Sequence, residues 1–600
     1  MINLIFNNGY RWHSFYDILF KGYFYDQAGR YHAGDDAAVF FADALKTFSP
    51  AALKKICSSI DGCWSVVIRQ WGQTLIASDT MNMFPVFYTL LDGKWLVSDS
   101  TAWLARQRPG IRLNEHARAE FLAAGFVMGR ETLFEEIYQV RAGEVVLLTE
   151  GHRKVAVQSD TWHYFLPGSF TEEPIELLKD RLVSVLSNVS FRLLSSLKGE
   201  RLVVPLSGGY DSRLIVCMLK KAGYENVTCF TYGRPNPESV ISQKVAEKLG
   251  YEWIFADYTR IDTNGYLESP VFQAYHNYAG NHTSMPYLQE YFGVKYLKDN
   301  KLIPANSIFL PGHTGDYLAG SYLEKTVRLN DRPRSNFFSY LMRSLLSREA
   351  AEGTPDRSDS DHDVIHGISD ATHSANDLPA NLQGRIIRNI AASYFPFIPL
   401  NKKKKEEIQA RLESWFSDYS PPACATDPEY SVYVEDWDLK EKIAKFIFNS
   451  ASVFPFFGYG FRLPLWDREF REFFRQLPFR HRLNKSLYDE VLVTQFFEPL
   501  GVGFGADELP APAGSGLPLC LMAARKKTGS MVKRLLPPAM AERKIRKNDW
   551  ICYHRFTREM VNDMHQNNFR APKRVYAYNA LICSWYVKET GKLCNKLNAI

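Results

Sequence analysis

Hydrophobic and polar positions follow two rhythms along the 600-residue chain. Up to about residue 165, short apolar runs at 63–69, 74–77, 85–91, 94–97 and 144–149 are punctuated by Gly72, Asp92-Gly93 and Glu150-Gly151. Strand-length runs closed by turn residues predict a domain rich in antiparallel sheet. One stretch, 114–124, has helical spacing instead. From about 170 the texture changes. Leu177, Leu178, Leu182, Val183, Val185 and Leu186 recur at helical intervals and predict a helix over 174–197. Strand 202–206 then gives way to helix 213–221, closed by Gly223. Strand 227–232 precedes helix 237–249, which Gly250 stops, and 253–256 and 307–310 read as further strands. That alternation predicts a parallel sheet with crossover helices. The last 170 residues read as helical and rich in aromatics.

Composition narrows the class. At roughly 100–200 residues per domain, the length allows two to four domains. Apolar residues make up 46% and aromatics 14%, enough for large cores and too many for a chain disordered throughout. Lys plus Arg is 72 and Asp plus Glu 66, a net charge of +6, which gives no electrostatic case for a nucleic-acid binder. The nine cysteines include no C-x-x-C, which argues against a disulfide framework and a cysteine-built zinc site. The first twenty residues lack the pattern of a signal peptide. The richest apolar stretch, 446–466, is broken by Asn449, Ser450, Gly458, Gly460 and Arg462, so a cytoplasmic protein is expected.

Several local patterns carry no chemistry. The acidic stretch 348–378 holds Asp359, Asp361 and Asp363, but Val364 stands where a calcium loop needs glycine, so it reads as a solvated insertion. The lysine run 402–405, followed by Glu406 and Glu407, reads as a solvated helix face. Gly501, Gly503 and Ala506 satisfy G-x-G-x-x-A, yet the segment runs into Pro510 and Pro512 rather than opening a helix.

The strongest signal is the run Val203-Val204-Pro205-Leu206-Ser207-Gly208-Gly209-Tyr210-Asp211-Ser212-Arg213. A strand enters a Ser-Gly-Gly turn and a helix opens near Asp211. Backbone N–H groups at such a turn, with the positive end of the helix, form an anion site. Asp211 would repel a bare phosphate, so its presence implies a divalent cation between them. The competing reading is a Gly-rich helix start that Asp211 merely caps.

SGGYDS after an apolar strand resembles the SGG-x-DS loop of the PP-loop ATP-pyrophosphatases. Ser307-Ile308-Phe309-Leu310-Pro311-Gly312-His313-Thr314-Gly315-Asp316 resembles the strand and S-G-E-G-x-D turn of asparagine synthetases. Phe461-Arg462-Leu463-Pro464-Leu465-Trp466-Asp467 is similar to their E-x-R-x-P-F-L-D segment. Ala77-Ser78-Asp79 with Pro85-Val86-Phe87-Tyr88, and Thr132-Leu133-Phe134 with Gly143, resemble their glutaminase domain. The resemblance covers nearly the whole chain. It implies an Ntn-hydrolase-like antiparallel domain over 1–165, followed over 170–600 by a PP-loop parallel-sheet synthetase domain with C-terminal helices.

The resemblance also implies roles. Leu206, Ser207, Gly208, Gly209, Asp211, Ser212, Tyr232, Pro311 and Gly312 would hold ATP, and Asp211 and Asp316 would hold magnesium. Lys547 is the preferred counterpart of the family's C-terminal catalytic lysine, with Lys544 and Lys485 as other candidates. A solvated basic helix face is the competing reading for each. His313 stands where asparagine synthetases carry Glu and is a candidate base for the amine. Gly460 replaces the Glu of E-x-R-x-P, which weakens any case for aspartate as substrate. The segment 281–284 has two readings, acceptor pocket or helix cap ahead of Pro286.

Glutaminases of this class use an N-terminal Cys as nucleophile. This sequence begins Met1-Ile2 and has its first cysteine at Cys57, so glutamine hydrolysis is expected to be lost. The resemblance therefore implies an AMP-forming carbon–nitrogen ligase that adenylates a carboxylate and passes it to an amine. It extends to β-lactam synthetase and lasso-peptide cyclase relatives, which lack that Cys, and so to secondary-metabolite, peptide-cyclisation or surface-polysaccharide biosynthesis. Asparagine synthesis from free ammonia and an inactive scaffold are the alternatives. Expected partners are small-molecule or peptide substrates, with a homodimer or a biosynthetic complex as macromolecular options, and no nucleic acid or membrane insertion.

Overall fold

A computed structural model describes residues 1–150, 155–166, 169–321, 323, 402–416, 427–503, 549–567 and 578–599. The insertion 348–378, Lys544 and Lys547 lie outside the described residues.

The N-terminal part is built in layers. Seven strands form one antiparallel sheet: Trp12–Phe15, Ile18–Tyr25, Tyr31–Ala33, Asp61–Gln70, Gln73–Ser78, Glu144–Thr149 and Ala156–Thr161. A second sheet orders Ile2–Asn3, Lys94–Ser98, Phe87–Leu91 and Tyr138–Gln139. Alternation along the strands sorts the side chains between layers. Val66, Ile68, Leu75, Ala77 and Val145 pack with Ala37, Ala38 and Phe41 of the helix Gly34–Ala44 and Leu53 and Ile56 of the helix Pro50–Ser59. Val67, Ile76, Val146 and Leu148 turn the other way, onto Tyr88, Trp95 and Val97 of the second sheet. The expected helix is Glu115–Ala124, with the Asn114 side chain capping its start and Gly125 left-handed at its end. The helices Gly34–Ala44 and Pro50–Ser59 are additions to the single helix that the sequence pattern predicts in this region.

The second part carries a parallel sheet of five strands. Its spatial order is Glu252–Asp257, Val227–Gly233, Leu202–Pro205, Ile308–Phe309, Gly460–Phe461. Numbered along the chain, that is 3-2-1-4-5, so the winding reverses between the first and fourth strands. Open sheets of this kind bind ligands at the carboxyl ends of the strands that flank the reversal. The crossover helices include Tyr210–Lys221 and Pro237–Leu249, the latter opened by an Asn236–Ser239 capping box and closed by left-handed Gly250.

The two parts interlock through Arg462, which follows the fifth strand. Its guanidinium lies over the rings of Tyr23 and Tyr31, at 4.3 and 4.8 Å. It donates to the Tyr31 hydroxyl at 2.7 Å, the Tyr10 hydroxyl at 3.0 Å and Ser196 Oγ at 3.2 Å. Tyr10 in turn donates to the Phe461 carbonyl at 2.8 Å. Nearby, Thr80 accepts from Trp466 Nε1 and Arg471, and the C-terminal helix Asn579–Asn598 returns to seat Cys594 in the N-terminal core. Among the described residues no helix is long and apolar enough to cross a membrane.

Candidate active site

The first strand of the parallel sheet delivers the Ser207-Gly208-Gly209 turn to the reversal point. Ser207 N donates to Ser212 Oγ at 3.1 Å, the two serine hydroxyls are 3.1 Å apart, and Gly209 N donates to Ser207 Oγ at 3.2 Å. The turn therefore curls over the first residues of the helix Tyr210–Lys221. Arg213 braces it from behind by donating to the Gly208 carbonyl at 2.9 Å. No side chain caps this helix, so its opening N–H groups are left for an anionic ligand.

The fourth strand brings in the second signature. A Cβ on Gly312 would lie 2.8 Å from Ser212 N, and one on Gly315 would lie 2.8 Å from both Asp211 Cγ and Oδ1. Only glycine permits this contact between the two loops. Asp316 donates its backbone N–H to Asp211 Oδ2 at 2.8 Å, and the Tyr488 hydroxyl donates to Oδ1 at 3.0 Å. Asp211 thus caps nothing in its own helix. Burial first, and then the neighbouring Asp316 carboxylate, push its pKa up against the opposing pull of the Asp316 N–H, the Tyr488 hydroxyl and the Lys485 ammonium. Lys485 is the basic side chain beside them. It lies in the cleft wall, pairs with Asp489 at 3.1 Å, and has a left-handed backbone.

These groups line a cleft of about 840 Å³. Of the residues with expected nucleotide roles, Ser207, Gly208, Gly209, Asp211, Ser212, Tyr232, Pro311, Gly312 and Asp316 all face it. Leu206 lies beneath it. Its side chain is buried, its N–H goes to the Phe230 carbonyl and its own carbonyl accepts the Thr231 hydroxyl.

His313 also lines the cleft, 3.1 Å from Ser450 Oγ through Nε2. Ser450 spends its single proton on the Ile447 carbonyl at 2.8 Å, so Nε2 is the donor to Ser450. Nδ1 then keeps its lone pair, shielded from water and without a partner. Burial pushes the imidazole down to about 4, so it is neutral near pH 7.

The segment 281–284 serves the interface between the two parts rather than the cleft. Asn281 accepts from Thr101 N and Oγ1 and donates to the Asp99 carbonyl, and His282 Nδ1 meets Thr101 Oγ1 at 2.8 Å. The following helix starts at Tyr291, beyond Pro286. What the sequence reading missed lies between them. Tyr287, Gln289 and Glu290 all line the cleft, and their only sequence signal is a polar pair, Gln289-Glu290, inside an otherwise apolar and aromatic run.

Magnesium is implied by the family resemblance, and the donor set fits it in one specific way. Among the described residues no cluster of three or more His, Cys, Asp or Glu could cage an ion. Two carboxylates beside an anion-binding turn instead suit an ion that shares its coordination with substrate phosphates.

A doubly wound sheet with a Ser-Gly-Gly turn and paired carboxylates at its reversal defines an α/β domain whose cleft suits an anionic ligand. Residues 197–425 match the family model for asparagine synthase. No curated protein matches the chain. Among solved structures, an NH3-dependent NAD synthetase from Campylobacter jejuni is similar at 12% identity over 42% of this chain and 98% of its own, with a TM-score of 0.17. A glutamine phosphoribosylpyrophosphate amidotransferase from B. subtilis is similar at 10% identity over 50% of this chain, with a TM-score of 0.17. The chain spans 63% of that protein's length.

Proposed function

We propose that the protein is an AMP-forming carbon–nitrogen ligase. A substrate carboxylate oxygen attacks the α-phosphorus of ATP. The new P–O bond forms as the bond to the β-phosphate bridge breaks, giving an acyl-adenylate and pyrophosphate. An amine then attacks the acyl carbon, AMP leaves, and the amine gives up a proton. The observation that carries this reading is the joining of Asp211 and Asp316 over an uncapped helix start at the sheet's reversal.

In this reading Ser207, Gly208, Gly209 and Ser212 cradle the phosphates, and Lys485 adds positive charge at the same end. Asp211 and Asp316 would hold magnesium, which supplies neutralisation of the pyrophosphate leaving group. His313 takes the amine proton at Nδ1. The N-terminal part is structural. Its cysteines Cys57 and Cys63 are buried, and burial raises both thiols, which disfavours the thiolate a nucleophile needs.

Pyrophosphate exchange into ATP, run over a panel of carboxylates, tests the reading. Exchange in the wild type and its loss in Asp211→Asn is the expected result. An Asp211→Asn protein that exchanges at the wild-type rate sinks the proposed role of Asp211, and a wild type that does not bind MgATP returns the chain to a scaffold.

A further inference from the structure

Glu290 stands apart from the acidic pair at the phosphate turn. It directly precedes the helix Tyr291–Asp299 and is 7% exposed, yet it lines the same cleft. Its Oε1 accepts the Tyr232 hydroxyl at 2.7 Å. The Tyr232 oxygen accepts Gln289 Nε2 at 3.0 Å, and Gln289 Oε1 accepts the Tyr287 hydroxyl at 3.0 Å. Three successive hydrogen bonds, all between residues of the cleft wall, therefore fix the direction of the carboxylate. The second oxygen, Oε2, is shielded from water and has no partner. No basic side chain among the described residues offsets its charge; burial dominates, with the Tyr232 hydrogen bond opposing it.

A buried acceptor left without a donor costs about 1–3 kcal/mol, and more when charged. A ligand that supplies the donor removes that cost. Phosphate and carboxylate groups are repelled by Glu290, so the triphosphate and the acid to be activated do not fit here. A neutral N–H donor would satisfy the geometry and leave the charge unbalanced. A primary ammonium does both.

We propose that Glu290, oriented by Tyr232, is a specificity-determining anchor for a primary ammonium group carried by a substrate. The inference rests on the ligase reading for the other occupants of the cleft. The ammonium has two sources, an amino group on the carboxylate substrate or the amine co-substrate before it is deprotonated. Burial pushes Glu290 up to about 7, so a bound cation draws the group back to its ionised form.

Isothermal titration of the full chain with n-butylammonium chloride tests the anchor, with 1-butanol as the uncharged isostere and MgATP titrated separately. Butylammonium binds the wild type, butanol does not, and Glu290→Gln weakens the amine by about tenfold or more while MgATP affinity holds. Tyr232→Phe, which leaves the carboxylate free to turn, weakens the amine by a smaller factor. 4-Aminobutanoate separates the sources. Tighter binding than butylammonium assigns the ammonium to the carboxylate substrate, and equal or weaker binding assigns it to the amine co-substrate. Butylammonium that fails to bind, or binds Glu290→Gln as tightly as wild type, overturns the anchor. Loss of MgATP affinity in Glu290→Gln without any amine binding gives Oε2 to the adenine amino group and overturns it too. A wild type that binds butylammonium and not MgATP keeps the anchor and removes the ligase reading.

Discussion

Asp211 accepts the backbone N–H of Asp316 at 2.8 Å. One hydrogen bond thereby sets the spacing of two carboxylates that come from loops 105 residues apart. The bond exists because Gly315, just before Asp316, leaves room for it. A methyl group there would sit 2.7 Å from the Tyr488 hydroxyl and 2.8 Å from Asp211. Gly315→Ala is expected to lower pyrophosphate exchange by about 10²-fold, the scale of an ångström's misplacement. Circular dichroism should stay native. Full exchange in this variant would show that the spacing does not matter.

His313 should separate the two half-reactions. His313→Ala is expected to leave exchange intact and slow amide formation by about 10²–10⁴-fold, the usual worth of a positioned base. With the imidazole lowered to about 4, the ratio of the wild-type to the His313→Ala amide-forming rate should show no inflection near 6.5 and should fall only as pH drops toward 4. Equal losses in both half-reactions contradict the assignment.

Glu290 makes a stability prediction of definite sign. Its folded-state pKa, about 7, lies above the ordinary 4.5. Its contribution is therefore fully present below 4.5 and is lost as pH rises through 7. Glu290→Gln lacks that dependence. Its urea-unfolding free energy should gain on the wild type between pH 4.5 and 7, by up to ~3 kcal/mol at one pKa unit per ~1.4 kcal/mol. A constant difference across that range would rule out the raised carboxyl.

Arg462→Met keeps an unbranched apolar side chain and removes every hydrogen bond that the guanidinium makes to Tyr10, Tyr31 and Ser196. A loss of about 2–4 kcal/mol is expected, the range for breaking a buried network. The denaturation midpoint measures it, and a change under about 0.5 kcal/mol would place the site among ordinary surface substitutions.

Four of the five strands of the parallel sheet were legible because each is a short apolar run ended by a turn residue. The helix Pro237–Leu249 was legible to the residue because Pro237 and Gly250 mark its ends. The strand Ile18–Tyr25 was not. It is apolar on both faces around a buried Lys21, so it lacks the alternation that announces a half-exposed strand. The helix Gly34–Ala44 opens without a side-chain cap, and Gly460–Phe461 is a strand only because Ile308–Phe309 lies beside it. In the site, the residues of the Ser-Gly-Gly turn could be read locally, since strand, turn and helix are contiguous. Glu290 could not. Its meaning comes from Tyr232, 58 residues away, and no local pattern records that a carboxylate will be buried.

The tyrosine cage around Arg462 bears on the standing of the N-terminal part as well as on stability. The second part alone would keep Arg462 without the Tyr10 and Tyr31 hydroxyls that receive its hydrogen bonds. The N-terminal part would lose the hydrogen-bond partners of two phenols, Tyr10 and Tyr31. A part held in this way is kept in place by its packing, so its presence beside the cleft says nothing by itself about whether it does chemistry.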